Sequence, residues 1–518
     1  MGQSPELPTL LPETYRWYKS ETNPRLMQRR ALGEAIVGMK KPNWRGQYDL
    51  YLVANLRTAA AAASPALSLV QLKAKFESAL LLTRYEHPEC ACTAEWDEQI
   101  PPIIQYFSPE SNDEAIRWAQ DATHVKVSAQ SAHDVRYEIE EARTKIPEED
   151  KRPSKSVDIY LIADVADENT PIPGGTPVEM LLHMNHLYWD GISSRMFVGH
   201  LFSNLSTVMG TAENVYPSLE WGTEFKNLSP SVPDAAKVKF TEPGDDYKTT
   251  ADEYAKALFE AYGGKGIKFR HGLATPRTDL HTFTPEQSRN IISAIKTRLG
   301  PKYTISHLAQ AAVVMAMLEL LGEDELSEGD YFVHGMPVNG RRFLEEEHAK
   351  RQYGLCETCA VVKVENLKEL AVRSKDDKEA AKKSLTRATQ DVKKCFDRWL
   401  SNPSQLQLGI STHVLEANFL SQNPMPFDKT AAPFFISDGR NDLYIPHAIT
   451  AATNGETVIE IDNFLFLVNL CLPFLAIRLE SWKDASTLSV CYNDANHTQE
   501  EAISYLKSIA DYMLLFAE

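Results

Sequence analysis

The sequence predicts two α/β layers of similar length, joined by a crossover, with a site between them. Three observations predict this. Strand-like and helix-like periodicities alternate through both halves of the 518 residues. The pattern weakens between Phe225 and Arg270, where Pro230, Pro233, Pro243 and Gly244 interrupt it. In the first half, one strand runs into a histidine, a tight turn and a helix. The expected division is 1–225, a crossover at 226–270, and 271–518.

The elements follow in order. The first forty residues are mixed and basic and predict an arm over the surface. Leu67–Tyr85 has helical spacing and stops before His87-Pro88. Val157–Ala163 is a strand, and Gly174-Gly175 returns it into a second one, which makes a long hairpin. In that second strand Val178, Met180, Leu182, Met184 and His186 alternate with Glu179, Leu181, His183 and Asn185, so His186 shares a face with four apolar residues. Val198, Leu201, Phe202, Leu205, Val208 and Met209 then repeat at helical spacing. A short helix at Ala251–Tyr262 follows, closed by Gly263-Gly264-Lys265-Gly266, which lacks the spacer and ending of a phosphate-binding loop.

The second half opens with Thr284, Pro285 and Gln287, a capping box, and the helix stops at Gly300. Ile305–Leu321 is almost wholly apolar, so it predicts a buried helix with His307 as a core residue and Gly322 as its end. Tyr331–Val338 is a strand. Leu367–Leu400 predicts one long helix with a charged, solvated face. Val458–Leu470, Phe474–Glu480 and Thr487–Tyr492 are strands, the last two joined by a turn. Thr498-Gln499-Glu500-Glu501 opens a terminal helix.

Bulk properties bound the function. Hydrophobic residues are 43% and charged residues 24%, as in ordinary globular proteins. A net charge of −17 excludes a nucleic-acid-coating role. The most apolar run, Phe464–Leu479, contains Asn469 and Pro473 and is too short to span a membrane. No secretory pattern is visible at the start. The seven cysteines are irregularly spaced, and neither Cys90/Cys92 nor Cys356/Cys359 has a second pair or His cluster to complete a zinc site. Reduced, structural thiols, a cytoplasmic location and no metal are the expectation.

His186-Leu187-Tyr188-Trp189-Asp190-Gly191 carries the chemistry. An imidazole at a strand rim can act as a general base near neutral pH. A histidine at a strand end is more often a hydrogen-bonded structural residue, and H-x-x-x-D-G strings arise by chance. What singles this one out is its company. The motif resembles the H-x-x-x-D-G signature of the coenzyme-A-dependent acyltransferases, which include chloramphenicol acetyltransferases, plant-type acyltransferases and peptide-synthetase condensation domains. In the same order, Arg84-Tyr85-Glu86-His87-Pro88, Thr304-Ile305-Ser306-His307-Leu308, Pro337-Val338-Asn339-Gly340-Arg341, Phe435-Ile436-Ser437-Asp438-Gly439-Arg440 and Leu488–Asn493 resemble further elements of that family. Asn185 stands where condensation domains carry a first histidine. Ser437–Asn441 stands nearest to the plant-type D-F-G-W-G. Length, acidity and the charged helix most resemble the fungal trichothecene 15-O-acetyltransferases.

The resemblance implies two chloramphenicol-acetyltransferase-like domains, each a mixed sheet flanked by helices, with an active-site tunnel between them. It implies His186 as general base and acetyl-CoA as donor. The implied acceptor is a small-molecule alcohol, most specifically the C-15 hydroxyl of a trichothecene. It also implies that Asp190 turns away from the substrate and pairs with an arginine, Arg341 or else Arg342. The plainer reading of Asp190, a carboxylate at a helix N-terminus favoured by the macrodipole, is compatible with that role. Gly191 would allow a tight turn. Ser437, Asp438 and Gly439 would line the acyl end of the tunnel, with Ser437 or a backbone N–H facing the oxyanion, unless they form an ordinary turn. Tyr188 and Trp189 would wall the acceptor pocket unless buried in the core. No G-x-S-x-G elbow is present, and none is needed. A complete site in one chain predicts a monomer, with neither nucleic acid nor membrane as partner. A carrier-linked condensation enzyme and a catalytically silent binding protein are the competing readings.

Overall fold

The computed structural model describes residues 7–8, 10–32, 46–59, 66–95, 102–146, 155–209, 216–372, 377–422, 427 and 429–518. The first half supplies strand β1 (Leu50–Thr58), helix α1 (Leu69–Glu86), β2 (Thr123–Val127), α2 (Ala132–Thr144), β3 (Val157–Ala163), β4 (Pro177–Met184) and α3 (Gly191–Met209). The second half supplies β5 (Pro276–Thr282), α4 (Pro285–Arg298), α5 (Ile305–Leu321), β6 (Phe332–Asn339), β7 (Glu357–Val364), α6 (Lys378–Leu400) and α7 (Gln405–Gln422). It ends with β8 (Phe434–Arg440), β9 (Ala448–Thr450), β10 (Thr457–Val468), β11 (Ala476–Trp482), β12 (Ala485–Asn493) and α8 (Gln499–Ala517).

The larger sheet has six strands in the order β9-β10-β1-β4-β3-β2. The expected hairpin is part of it: β3 and β4 run antiparallel, with Ile159 opposite Leu182 and Leu161 opposite Met180. Val178, Met180, Leu182 and Met184 pack into one core with α1 and α3. Leu181 joins a small second cluster with Tyr51 and Val53 on the opposite face. The sheet is therefore covered on both sides, as its apolar strands require. The second sheet has the order β5-β12-β11-β8, with β8 and β11 parallel. Helix α5 is buried along nearly its whole length in the second core, as its composition predicts, and His307 is buried with it.

Local signals set the element ends. Thr284 and Gln287 form the capping box of α4, and Thr498 and Glu501 that of α8. Gly322 takes φ +74° after α5, the left-handed stop that favours glycine.

Three expectations need correction. Residues 26–30 are no loose arm: they pair antiparallel with Ile103–Phe107 in a small separate sheet. The charged helix is two helices, Leu367–Leu370 and α6, and residues 373–376 between them fall outside the described set. In α6, Ala381, Leu385, Ala388, Val392, Phe396 and Trp399 form the buried stripe that the charges disguise. Finally, the division at 226–270 is crossed later in the chain. Strands β9 and β10 leave the second half and complete the larger sheet, with β10 antiparallel to β1 and Phe466 opposite Leu52. Among the described residues no helix is long and apolar enough to cross a membrane. All seven cysteines are free thiols.

Candidate active site

Strand β4 ends at Met184, and the next six residues make the turn into α3, which begins at Gly191. Within that turn the structure separates the motif's residues by role. His186 is half-buried and lines a cavity between the halves, about 760 Å³ of open space that Ser437, Asp438, Asn339, Phe466 and Tyr48 also line. The Tyr48 ring meets the imidazole edge-on, with centroids 6.2 Å apart.

Asp190 lines the same cavity, and its carboxylate is taken up by protein donors. Its Oδ1 accepts from the backbone N–H of Ile192 at 2.9 Å and of Ser193 at 2.7 Å, so it is the N-terminal cap of α3. Its Oδ2 accepts from Arg341 Nη1 at 2.9 Å and from the Cys356 N–H at 2.7 Å. The two readings of Asp190, cap and ion-pair partner, are thus one arrangement. Arg341 follows β6 and spends its other donors on carbonyls, Nε on Gln352 at 2.8 Å and Nη2 on Gly354 at 3.1 Å. Burial alone would lower the Arg341 pKa, but Asp190, Cys356 and Tyr444 together outweigh it and the pKa is raised. Arg342 is exposed and lies over the Phe343 ring instead.

Gly191 serves by size rather than by conformation. It lies outside the positive-φ set, and a Cβ there would meet Arg195 Nη1 at 3.3 Å and the Phe466 ring at 3.4 Å. Tyr188 and Trp189 do not line the cavity. Both are buried, and Trp189 donates its indole N–H to Ser156 O at 3.0 Å. Their amphipathic bulk fills core, which an apolar run beside a motif cannot distinguish from a pocket wall.

Ser437 lies on β8 just before a register shift against β11. That bulge turns Asp438 inward and leaves Gly439 exposed at φ +78°, so Ser437 and Asp438 line the cavity and Gly439 does not. Ser437 Oγ is 2.6 Å from Ser306 Oγ in the first turn of α5.

Behind Ser437 lies a buried charge cluster that the sequence did not announce. Asp438 takes a two-pronged bond from Arg478, at 2.9 and 2.6 Å. Arg195 Nη2 approaches the same carboxylate to 3.2 Å, while its Nη1 donates to Gly191 O at 2.6 Å and its Nε to Asn441 Oδ1 at 2.7 Å. The two guanidinium groups lie 4.1 and 4.4 Å from the Phe466 ring centroid. Glu480 accepts from Asn441 Nδ2 at 2.7 Å and from the Phe466 N–H at 3.1 Å. Burial first, then Asp438, pushes its carboxyl up to about 7 against the pull of Arg195. Only helix spacing placed Arg195 on α3, and nothing local joined it to strands 240 residues away.

A second chamber meets the first at Tyr48, Pro337 and Phe434 and adds about 950 Å³ of open space. Phe259, Tyr262, Phe427 and Phe474 make it aromatic, and its described lining holds neither lysine nor arginine. Among the described residues, one set of groups is spaced to hold a metal, Asp49, Glu140 and His183. The guanidinium of Arg143 already sits in it, 2.7 Å from Asp49 Oδ2, so an organic cation takes the place an ion would need.

A strand-end histidine at a cavity between two α/β halves, with the motif's aspartate locked to an arginine behind it, is the arrangement of an H-x-x-x-D-G acyltransferase. A sequence model of the 15-O-acetyltransferase Tri3 family matches residues 7–417. The chain belongs to that family and is an acetyltransferase. It is 54% identical to the trichothecene O-acetyltransferase TRI3 of Trichoderma arundinaceum over 99% of both chains. It is also similar to the trichothecene 15-O-acetyltransferase TRI3 of Fusarium sporotrichioides, whose solved structure superposes with a TM-score of 0.94 at 46% identity over 99% of both chains. Polyketide synthase associated protein 5 of Mycobacterium tuberculosis, 12% identical with a TM-score of 0.58, covers 94% of this chain and 98% of its own; it shares the fold.

Proposed function

We propose that the protein moves an acetyl group from acetyl-CoA to a trichothecene hydroxyl, the one at C-15, with His186 as general base. The supporting observation is the placement of His186 on the cavity wall, in a cleft that Ser437 also lines. An alcohol is too weak an acid to ionise near neutral pH, so its proton must leave as the oxygen attacks the thioester carbonyl. His186 takes that proton and returns it to the departing thiolate. Ser437 Oγ, oriented by Ser306, is the candidate donor to the oxyanion.

The aromatic chamber beyond Tyr48 suits a rigid, largely apolar acceptor, and a described lining without lysine or arginine suits neither phosphate nor pyrophosphate. The enzyme works as a cytoplasmic monomer in this reading, since one chain carries both walls of the cleft.

The test is thiol release from acetyl-CoA with a panel of alcohols, including a trichothecene with a free 15-hydroxyl. Release should require the acceptor and fall about 10²–10⁴-fold in His186→Ala. Turnover that survives His186→Ala removes the general-base role. Release with every alcohol except the trichothecene removes the acceptor.

A further inference from the structure

The residue before the base is the point of departure. Asn185 Oδ1 accepts from the Leu187 N–H at 2.9 Å, and its backbone carbonyl accepts from the Tyr188 N–H at 3.0 Å. Its Nδ2 donates to Asp49 Oδ1 at 2.9 Å. The bonds from Leu187 and Tyr188 close a tight turn that contains His186, and the third ties that turn to a residue 136 positions earlier. An amide is suited to this: one end accepts and the other donates, which neither a carboxylate nor an ammonium can do.

Asp49 is itself held firmly. Its Oδ2 lies 2.7 Å from Arg143 Nη2 and 2.7 Å from His183 Nε2. Burial alone would raise its pKa. Arg143 and then His183 overcome that and hold the carboxyl at about 2, so it stays ionised. Its backbone is pinned as well, since the Asn469 N–H donates to Asp49 O at 2.8 Å and the Tyr48 N–H to Asn469 O at 2.9 Å.

Tyr48 supplies an independent observation. It takes φ +66°, a left-handed conformation that costs a bulky residue energy and persists where its surroundings impose it. The imposed geometry puts its ring against His186, at the junction of the two chambers.

We propose that Asp49 is a positioning residue for His186, acting through the Asn185 side chain on one side of the imidazole and through the Tyr48 backbone on the other. The proposal rests on the reading of His186 as the base. Asp49 lines neither chamber. It sets where the imidazole points, and a displacement of about 1 Å in such a group can cost about 10²-fold in rate.

The experiment is a double-mutant cycle that exchanges the two groups. Asn185→Asp keeps the oxygen that Leu187 needs but sets a carboxylate against Asp49. Asp49→Asn keeps the shape and lets the new amide oxygen face Arg143. In the double variant Asp49→Asn/Asn185→Asp the amide at 49 donates to the carboxylate at 185, so the bond returns with its polarity reversed. Asn185→Asp should lower kcat about 30- to 100-fold while KM for acetyl-CoA changes less than about threefold, because no cofactor contact is involved. The double variant should recover kcat to within about fivefold of wild type.

Thermal unfolding of all three variants checks that the comparison is made on folded protein. Should Asn185→Asp fail to fold, Asn185→Ser, which keeps an acceptor for Leu187 without a charge, takes its place in the kcat–KM comparison. The proposal is overturned if the single variants keep wild-type kcat, or if the double variant is no better than the worse single. His186→Ala runs alongside. If it retains turnover, the base assignment and the positioning role fall together. If it is dead while the cycle shows no coupling, the positioning role alone is lost.

Discussion

At the scale of single residues, the deciding feature is that the Asp190 carboxylate at the cavity wall accepts from four protein donors. Two come from its own helix, one from Cys356 and one from Arg341. Removing one partner of such a buried pair costs about 3–5 kcal/mol, because the other charge is left without compensation. Asp190→Asn should therefore lower the unfolding midpoint as well as kcat, and the shortfall in kcat should exceed the fraction unfolded at the assay temperature. A variant with an unchanged melting temperature would mean that Arg341 finds another partner. Arg341→Lys tests the fork itself: an ammonium cannot reach Asp190, Gln352 and Gly354 together, so it should lose most of the stability that the arginine provides. This part of the site was legible in the sequence. Local periodicity predicts the elements at whose ends the histidine, the aspartate and the arginine lie, but the pairing of Asp190 with Arg341 was implied by the family resemblance. Tyr48, Asp49 and Arg143 were not legible, because their value lies in contacts between strand, loop and helix that no local spacing records.

At the scale of elements, the two halves meet on charge as well as on apolar surface. Helix α3 brings Arg195, β8 brings Asp438, and β11 brings Arg478 and Glu480, all beside the Phe466 ring of β10. With Glu480 ionised the cluster holds two cations and two anions out of water; with it neutral, one positive charge remains next to the cavity. Its folded-state pKa of about 7 stands above its ordinary value of 4.5. Through that interval the native state keeps a proton that the unfolded chain has released. Stability from this group is therefore full below about 4.5, declines as pH rises through about 7, and is gone above it. Glu480→Gln resembles the neutral form at every pH. Melting temperatures of wild type and variant should run in parallel at pH 4 to 5 and separate by a few degrees by pH 8.5, the variant being relatively more stable at the upper end. A constant difference across that range would mean that Glu480 titrates as an ordinary carboxylate. The sequence placed β11 as a strand, and it singled out the residues of β8 only through their resemblance to a family element. It was silent on the cluster, since the bulge after Ser437 that turns Asp438 inward follows from tertiary pairing.

At the scale of the whole molecule, the order of elements along the chain is not the order of layers in space. Strand periodicity found Val458–Leu470 almost to the residue, yet assigned it to the half in which it is encoded, because periodicity reports a strand's faces and not its neighbour. Strand β10 pairs with β1 instead and contributes Ile459, Ile461, Phe464, Phe466 and Val468 to the first half's core. Burying five such side chains is worth about 1.5–3 kcal/mol each, a sum comparable with the entire net stability of a domain at about 5–15 kcal/mol. A protein of residues 1–225 alone would lose that contribution and expose β1 as an unpaired apolar edge, which favours aggregation. The expected outcome is an insoluble fragment, or a soluble one that binds a hydrophobic dye and melts without a cooperative transition. Co-expression with 226–518 should restore a soluble complex, since the second piece carries the missing strands. The intact chain should unfold in one transition seen identically by far-ultraviolet dichroism and by tryptophan fluorescence, because the larger sheet is built from strands of both halves and the first half has no complete sheet without the second. A monomeric 1–225 with its own sharp melt would show that the four remaining strands suffice, and that the exchanged strand serves to align the cavity walls rather than to hold the first half together.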